Sequence, residues 1–543
     1  MPRANHLLSP CLRERPQPHS GPYPEAGPGF DPLPCHEFSP GFSLGFGRGP
    51  RTRFSLLPHP GLGYAPTLAT PLALAFLLAT CLGSCAPAPS PDPFDPDLAA
   101  EGFALGPPFF QAPRAWEGNR VPFPPEENPW TSIREERIRS LLGPAMSRAG
   151  VDAWVLILRE NHNDPLAHHV GGENAGGTAA FLFFREASGE GAGGEARVRS
   201  LAFSPGGEAT ALRDMGLHDS VAVLSGETAF QAAARELRAR NPGVIAVNSA
   251  NLAVADGLSH TQRQQLEAAL GPDLTRRLVS AEELVVQWLS VKTDREVEIM
   301  ARAAAITEAL EIEAYARVVP GRTTDADVAR YLKRRMAQLG VEDAWSPDQN
   351  PNVNSGPDRG HSHATDRVIR PGDFIQTDFG IRVWGMWVSD IQRFAYVLAP
   401  GETETPPEAQ RRWRAAVRGS RAAFEAMRPG VRGLDVDLAQ RAVMDEEGSL
   451  DVYWSTGHPV GYWAHDVGPA LSGGQRTRPP SPAVQRLLLP GQVFAFDGFF
   501  SWELEGEEEG TKTISVEEMA VITEDGARWL STPQEELILI PSR

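Results

Sequence analysis

Residues 370 to 398 read RPGDFIQTDFGIRVWGMWVSDIQRFAYVL, two β-rich runs on either side of Val383, Trp384 and Gly385. Gly385 suits the left-handed position of a three-residue hairpin loop. A hairpin centred on Trp384 sets Asp378 directly opposite Asp390. Two acids that face each other in otherwise apolar strands repel, and they need a cation or a shared proton.

More acids and histidines lie around this hairpin. GHSHATDR (360–367) carries His361 and His363, and TGHPVGYWAHDVGP (456–469) carries His458 and His465, seven residues apart. GQVFAFDGFF (491–500) ends an apolar run at Asp497, and TISVEEMAVIT (513–523) is interrupted by Glu517 and Glu518. Acids are seldom buried in strands, so several such strands together mark a site rather than an accident of surface composition. His363 and Glu518 each neighbour a better candidate on the opposite side of a strand and are expected to face water.

The 543-residue chain is long enough for two folded domains. Residues 1–66 are rich in Pro, Gly, Arg and Phe without sustained apolar periodicity, which predicts a disordered or over-extended start. The apolar run LATPLALAFLLATCLGSC (68–85) has the length of a signal-peptide core, so 67–85 is expected to direct export, with 86–130 a flexible tether. LGSC (82–85) resembles the lipobox of bacterial lipoproteins, which implies a lipid anchor at Cys85 and an envelope or periplasmic location. GFSLG (41–45) matches a serine-hydrolase pattern but lacks the strand, turn and helix that the motif requires.

After residue 85 the chain carries 45 basic and 65 acidic groups, which excludes bulk electrostatic binding to nucleic acid or anionic membrane. All four cysteines lie at or before Cys85, so disulfides, thiolate metal sites and cysteine nucleophiles are excluded from the body.

Helical spacing over 133–150, then strands at 151–158, 178–184 and 198–204, predict an α/β domain over 131–290. VGGENAGG (170–177) lacks the Lys-Ser/Thr pair of a phosphate loop and reads as a plain connection. A second domain, 291–543, opens on a helix whose capping box is Thr293 and Glu296, followed by a helix from Thr324 to Gly340. No third helix is needed to place the motifs.

The ordered set Asp378, Asp390, His458, Asp497 and Glu517 resembles the metal site of the pita-bread metallopeptidases, the family of aminopeptidase P, prolidase, methionine aminopeptidase and creatinase. The likeness covers about residues 131 to 525, and HPVGYWAHDVG is most similar to Xaa-Pro aminopeptidase. It implies an α/β fold: a creatinase-like amino-terminal domain, then a pita-bread domain with a curved antiparallel sheet, helices outside and metals on the concave face. It further implies that Asp378, Asp390, His458, Asp497 and Glu517 hold two divalent ions. Mn²⁺ suits this oxygen-rich set best, and Zn²⁺ or Co²⁺ are compatible with it. His361 and His465 would stabilise the oxyanion and pass a proton to the leaving nitrogen, and Asp497 would assist as the base. The implied substrates are peptides with proline second, and the family's habit of dimerising implies a homodimer.

The chain departs from the family at four places. Asp497 stands where Glu is usual, Ser515 where the Xaa-Pro enzymes tend to have Arg, and Trp454 where aminopeptidase P has another His. Asp378 and Asp390 are twelve apart, one more than usual, which predicts a bulge near Met386 to Val388. These departures leave two other readings open: a creatinase-like hydrolase of another C–N bond that works without metal, and a tethered binding protein built on a decayed peptidase.

Overall fold

The computed structural model describes residues 127–161, 164–186, 196–360, 362–472, 480–504 and 509–542. The reading of 1–85, including Cys85 and GFSLG, therefore lies outside the described residues. Among those described, no helix is long and apolar enough to cross a membrane.

Among the described residues the first helix begins at Trp130, one residue inside the expected tether. Its ring is buried and lies edge-on to Trp387 and Tyr462, so the end of the tether is core. The segment 133–150 is helical, widened by a π-helical stretch over Arg137–Leu141, and closes at a left-handed Gly150.

Beyond it lies a mixed six-stranded sheet of β1 (Ala153–Arg159), β2 (Thr178–Glu186), β3 (Arg197–Ser204), β4 (Ser220–Val223), β5 (Ile245–Val247) and β6 (Leu278–Ser280). Its order is β4-β3-β2-β1-β5-β6. The β1–β2 and β2–β3 pairs are antiparallel, and the β1–β5, β5–β6 and β3–β4 pairs are parallel.

The helix Asp294–Tyr315 starts on the predicted Thr293–Glu296 capping box, and Asp325–Leu339 starts on Thr324 and stops at a left-handed Gly340. The remaining described strands are β7 (Glu342–Asp343), β8 (Asn352–Ser355), β9 (Phe374–Phe379), β10 (Ile381–Val383), β11 (Trp387–Val388), β12 (Ile391–Val397), β13 (Gly457–Pro459), β14 (Val493–Glu503), β15 (Thr511–Ile522), and the short β16 (Ala527–Trp529) and β17 (Ile538–Ile540), which pair with β15 and β12. The larger sheet runs β13-β14-β15-β12-β9-β8, and every neighbouring pair in this run is antiparallel. It is the curved half-barrel of the pita-bread fold.

Two helices absent from the sequence reading, Pro407–Ala426 and Gly433–Glu447, pack outside this sheet. A side chain on Gly498 of β14 would place its Cβ 2.0 Å from the Ala416 carbonyl oxygen, so glycine there lets the helix touch the strand backbone. The opposite face of β14 is left for the site. One apolar core runs from Trp154 and Trp288 through Val297 to Trp387 and Ile391, so packing is continuous across residue 290.

Asp164, beside the six-stranded sheet, accepts from Leu166 N (2.9 Å) and Asn248 Nδ2 (2.7 Å), yet burial raises its pKa to about 6. A carboxyl raised in this way contributes stability in full below its unfolded pKa near 3.9, and loses it as pH rises through about 6. Urea unfolding of wild type and Asp164→Asn should thus give a stability difference that moves against wild type between pH 4 and pH 7, by up to about 3 kcal/mol. An unchanged difference would refute the assignment.

Candidate metal centre

Strand pairing decides which side chains share a face. Directly paired residues in antiparallel strands point the same way, and so do residues two apart on one strand. Asp497 pairs with Glu517, Glu517 with Gln392, and Gln392 with Asp378. Asp390 lies two before Gln392, and His458 pairs with Ala495, two before Asp497. All five candidate residues therefore project from one face, opposite the helix that meets Gly498.

The hairpin differs from expectation in its centre. Asp378 pairs with Gln392 rather than Asp390, and Val383 pairs with Trp387. Both Trp384 (φ 51°) and Gly385 (φ 68°) are left-handed, and Met386 N donates to Val383 O at 3.0 Å, so the loop is Trp384–Met386. Pairing keeps one register on both sides of Gly380, and the extra residue is taken up in the turn rather than in a bulge. Moving the centre by one residue moves each partner by two, which preserves the face: Asp378 and Asp390 become diagonal neighbours.

The four acids are nearly closed off from solvent: Asp378 is 5% exposed, Asp390 4%, Asp497 4% and Glu517 3%. Nε2 of His458 lies 3.7 Å from both Asp390 Oδ2 and Glu517 Oε1. Candidate ligand atoms of Asp390, His458 and Glu517 all fall within 4.8 Å of one another. Burial, then Glu517, Asp378 and Asp497, hold the Asp390 carboxyl well above the usual carboxylate range. Burial, then Glu517 and Asp378, do the same to Asp497. Hard oxygen donors crowded at this spacing, with one imidazole, fit divalent cations whose charge would relieve the repulsion.

These residues line a cavity of about 340 Å³ whose walls include Trp345, Trp454, Ser455, Ala464 and His465. The exposed His465 ring lies edge-on to His458, with centroids 4.3 Å apart. His361 lies outside the described residues. His363 is exposed, as the sequence reading expected.

Glu518 does not face water. It is buried on the convex face, where it pairs with Arg393 at 3.1 Å and accepts from Ser531 Oγ and Gln534 N. Arg393 in turn donates to the backbone carbonyls of Gln392 and Glu517, so it braces two floor strands from behind.

Sequence reasoning missed Gln392, although the alternation from Asp390 points to it. Its Oε1 accepts from Gln376 Nε2 (2.6 Å) and Ser515 Oγ (2.7 Å), which turns its Nε2 toward Asp497 Oδ1 at 3.4 Å. Ser515 thus belongs to a neutral polar row in the floor. Trp454 packs edge-on against Phe499 and forms part of the wall.

Fold and site together define a pita-bread scaffold with an acid-lined cavity. Residues 298–524 match the model of metallopeptidase family M24. The chain is 28% identical over 266 residues to a probable dipeptidase PepE of Mycobacterium tuberculosis, covering 48% of this chain and 64% of that protein. It is 28% identical over 257 residues to a Xaa-Pro dipeptidase of Pyrococcus furiosus, covering 46% of this chain and 65% of that one. The match therefore spans less than two thirds of either relative. The structure of an X-Pro aminopeptidase from Thermotoga maritima shares the fold, with a TM-score of 0.53, 21% identity, and coverage of 73% of this chain and all of that one (100%).

Because Glu517 is the largest charge acting on both Asp390 and Asp497, Glu517→Gln should relieve repulsion in chelator-treated protein. Its thermal midpoint should rise by about 2 °C or more, while affinity for Mn²⁺ falls. A lower midpoint without metal would contradict the crowding argument.

Proposed function

We propose that this chain is a metal-dependent exopeptidase that removes the first residue from peptides with proline in second position. The observation that carries the reading is the convergence of Asp378, Asp390, His458, Asp497 and Glu517 on one buried concave face, with His465 at its edge. Those five residues would hold two divalent ions, Mn²⁺ by preference and Zn²⁺ or Co²⁺ as alternatives. When bound, such ions supply a water acidic enough to attack a peptide carbonyl near neutral pH.

The chain's own residues do the rest. The Asp497 carboxylate, oriented through Oδ1 by Gln392, takes the proton of the attacking water on its other oxygen. The His465 imidazole steadies the oxyanion and delivers a proton to the leaving nitrogen. His361 is assigned the partnering role on the resemblance alone. Trp345 and Trp454 offer flat apolar walls to the substrate's side chains and ring, and they limit water entry. The retained acid set distinguishes this reading from a metal-free hydrolase.

We further propose that 131–290 and 291–543 are the creatinase-like and catalytic domains of an exported protein anchored through Cys85, able to form a homodimer. Labelled palmitate should enter the full chain expressed in a bacterial host, and Cys85→Ser should abolish incorporation. Persistent labelling of that variant would remove the anchor from the proposal.

Stripped and Mn²⁺-reloaded protein should release alanine from Ala-Pro-Ala and not from Ala-Ala-Ala, and chelator should stop the reaction. Hydrolysis of both peptides would remove the proline preference. Metal binding without hydrolysis of either would favour a decayed, binding-only protein.

A further inference from the structure

His465 is exposed at the mouth of the cavity, so its aim depends on the backbone that carries it. That backbone, 459–468, is fastened on both sides of the histidine by side chains that are themselves buried. Asp466, the next residue, accepts from Lys292 Nζ at 3.1 Å and from Tyr462 N at 3.0 Å through one oxygen, and from Val467 N at 2.8 Å through the other. Three residues before the histidine, Tyr462 OH donates to Glu296 Oε1 at 2.5 Å.

Glu296 is held in turn. Its Oε2 accepts from Arg137 Nη1 at 2.7 Å and from Thr293 N at 2.8 Å, and its Oε1 also accepts from Trp387 Nε1. The Arg137 guanidinium also donates to the Trp288 and Val291 carbonyls, which lie just before the helix Asp294–Tyr315. Exposure of the Arg137, Glu296, Lys292 and Asp466 side chains is 1% or less. Such a network is costly to bury and, with each of its charged groups paired, leaves little freedom. It is also more than fold closure requires, because the same loop already has backbone ties from Val388 N to Gly461 O and from Asp466 N to Pro459 O.

We infer that the chain Arg137–Glu296–Tyr462, together with the Lys292–Asp466 pair, is a positioning device that aims His465 into the acid-lined cavity, and that the amino-terminal segment acts on the reaction through it. The inference rests on the peptidase reading for its consequence in rate, but its geometric content stands apart from it. Arg137 sits in the π-helical stretch of the first helical segment, and the widened turn carries its side chain into the joint between the two sheets.

Tyr462→Phe tests this with the loss of one hydroxyl, since Glu296 keeps its Arg137, Thr293 and Trp387 partners. In Mn²⁺-loaded protein, kcat for Ala-Pro-Ala should fall about 10-fold to 100-fold, the range a small misplacement of a reacting group produces, with KM and bound metal unchanged. In a His465→Ala background the same substitution should have no further effect. An equal loss in both backgrounds, or no loss in either, would overturn the inference. Carbon-13 labelling of the histidine rings supplies a readout that needs no turnover. The ring signal that disappears in His465→Ala should shift or split in Tyr462→Phe while the His218 signal stays in place. An unmoved His465 signal overturns the inference, and wild-type protein that hydrolyses neither peptide but shows the shift refutes only the peptidase reading.

Discussion

Four carboxylates on one concave face, each nearly shut off from water, dominate this molecule. Burial first, and then like charges at this spacing in a poorly screened interior, hold the Asp390 and Asp497 carboxyls far above their ordinary range. No packing advantage explains setting acids there, since apolar residues would fill the same strands at lower cost. The arrangement makes physical sense as a receptor for positive charge, and the rest of the fold supports it.

That support comes from behind. The sheet must present backbone without side-chain bulk where the helix Pro407–Ala426 crosses it, which Gly498 allows. On the same convex side, Arg393 ties the Gln392 and Glu517 carbonyls together and is neutralised by Glu518. Adjacent glutamates in one strand thus serve opposite ends: Glu517 adds to the charge of the floor, and Glu518 compensates the cation that braces it. From the concave side the neutral row Gln376, Gln392 and Ser515 continues the floor and orients Asp497, whose side chain is one methylene shorter than the glutamate usual in its family.

Part of this was legible from sequence because strands alternate with a period of two. Asp378 and Asp390 could be set on a common face of one hairpin, and the error of one residue in the hairpin centre did no harm since it moved every partner by two; the common face of His458, Asp497 and Glu517 came only from the resemblance and from the observed pairing. Capping at Thr293 and Thr324 was legible for a similar reason, being a local exchange of hydrogen bonds over three residues. The helices Pro407–Ala426 and Gly433–Glu447 were passed over because no motif depended on them. Glu518 was misread because its partner lies 125 residues away on another strand.

By itself, then, the sequence determined the candidate acids and histidines, their order along the chain and the shared face of Asp378 and Asp390, since side-chain chemistry and strand alternation are local properties. Only the tertiary structure decided the turn that makes Asp378 and Asp390 diagonal, the burial that turns four acids into a charge-bearing pocket, and the anchoring of His465 through Tyr462, Glu296 and Arg137. Those depend on groups up to 166 residues apart being brought within hydrogen-bond reach, and no period or motif along the chain encodes that distance.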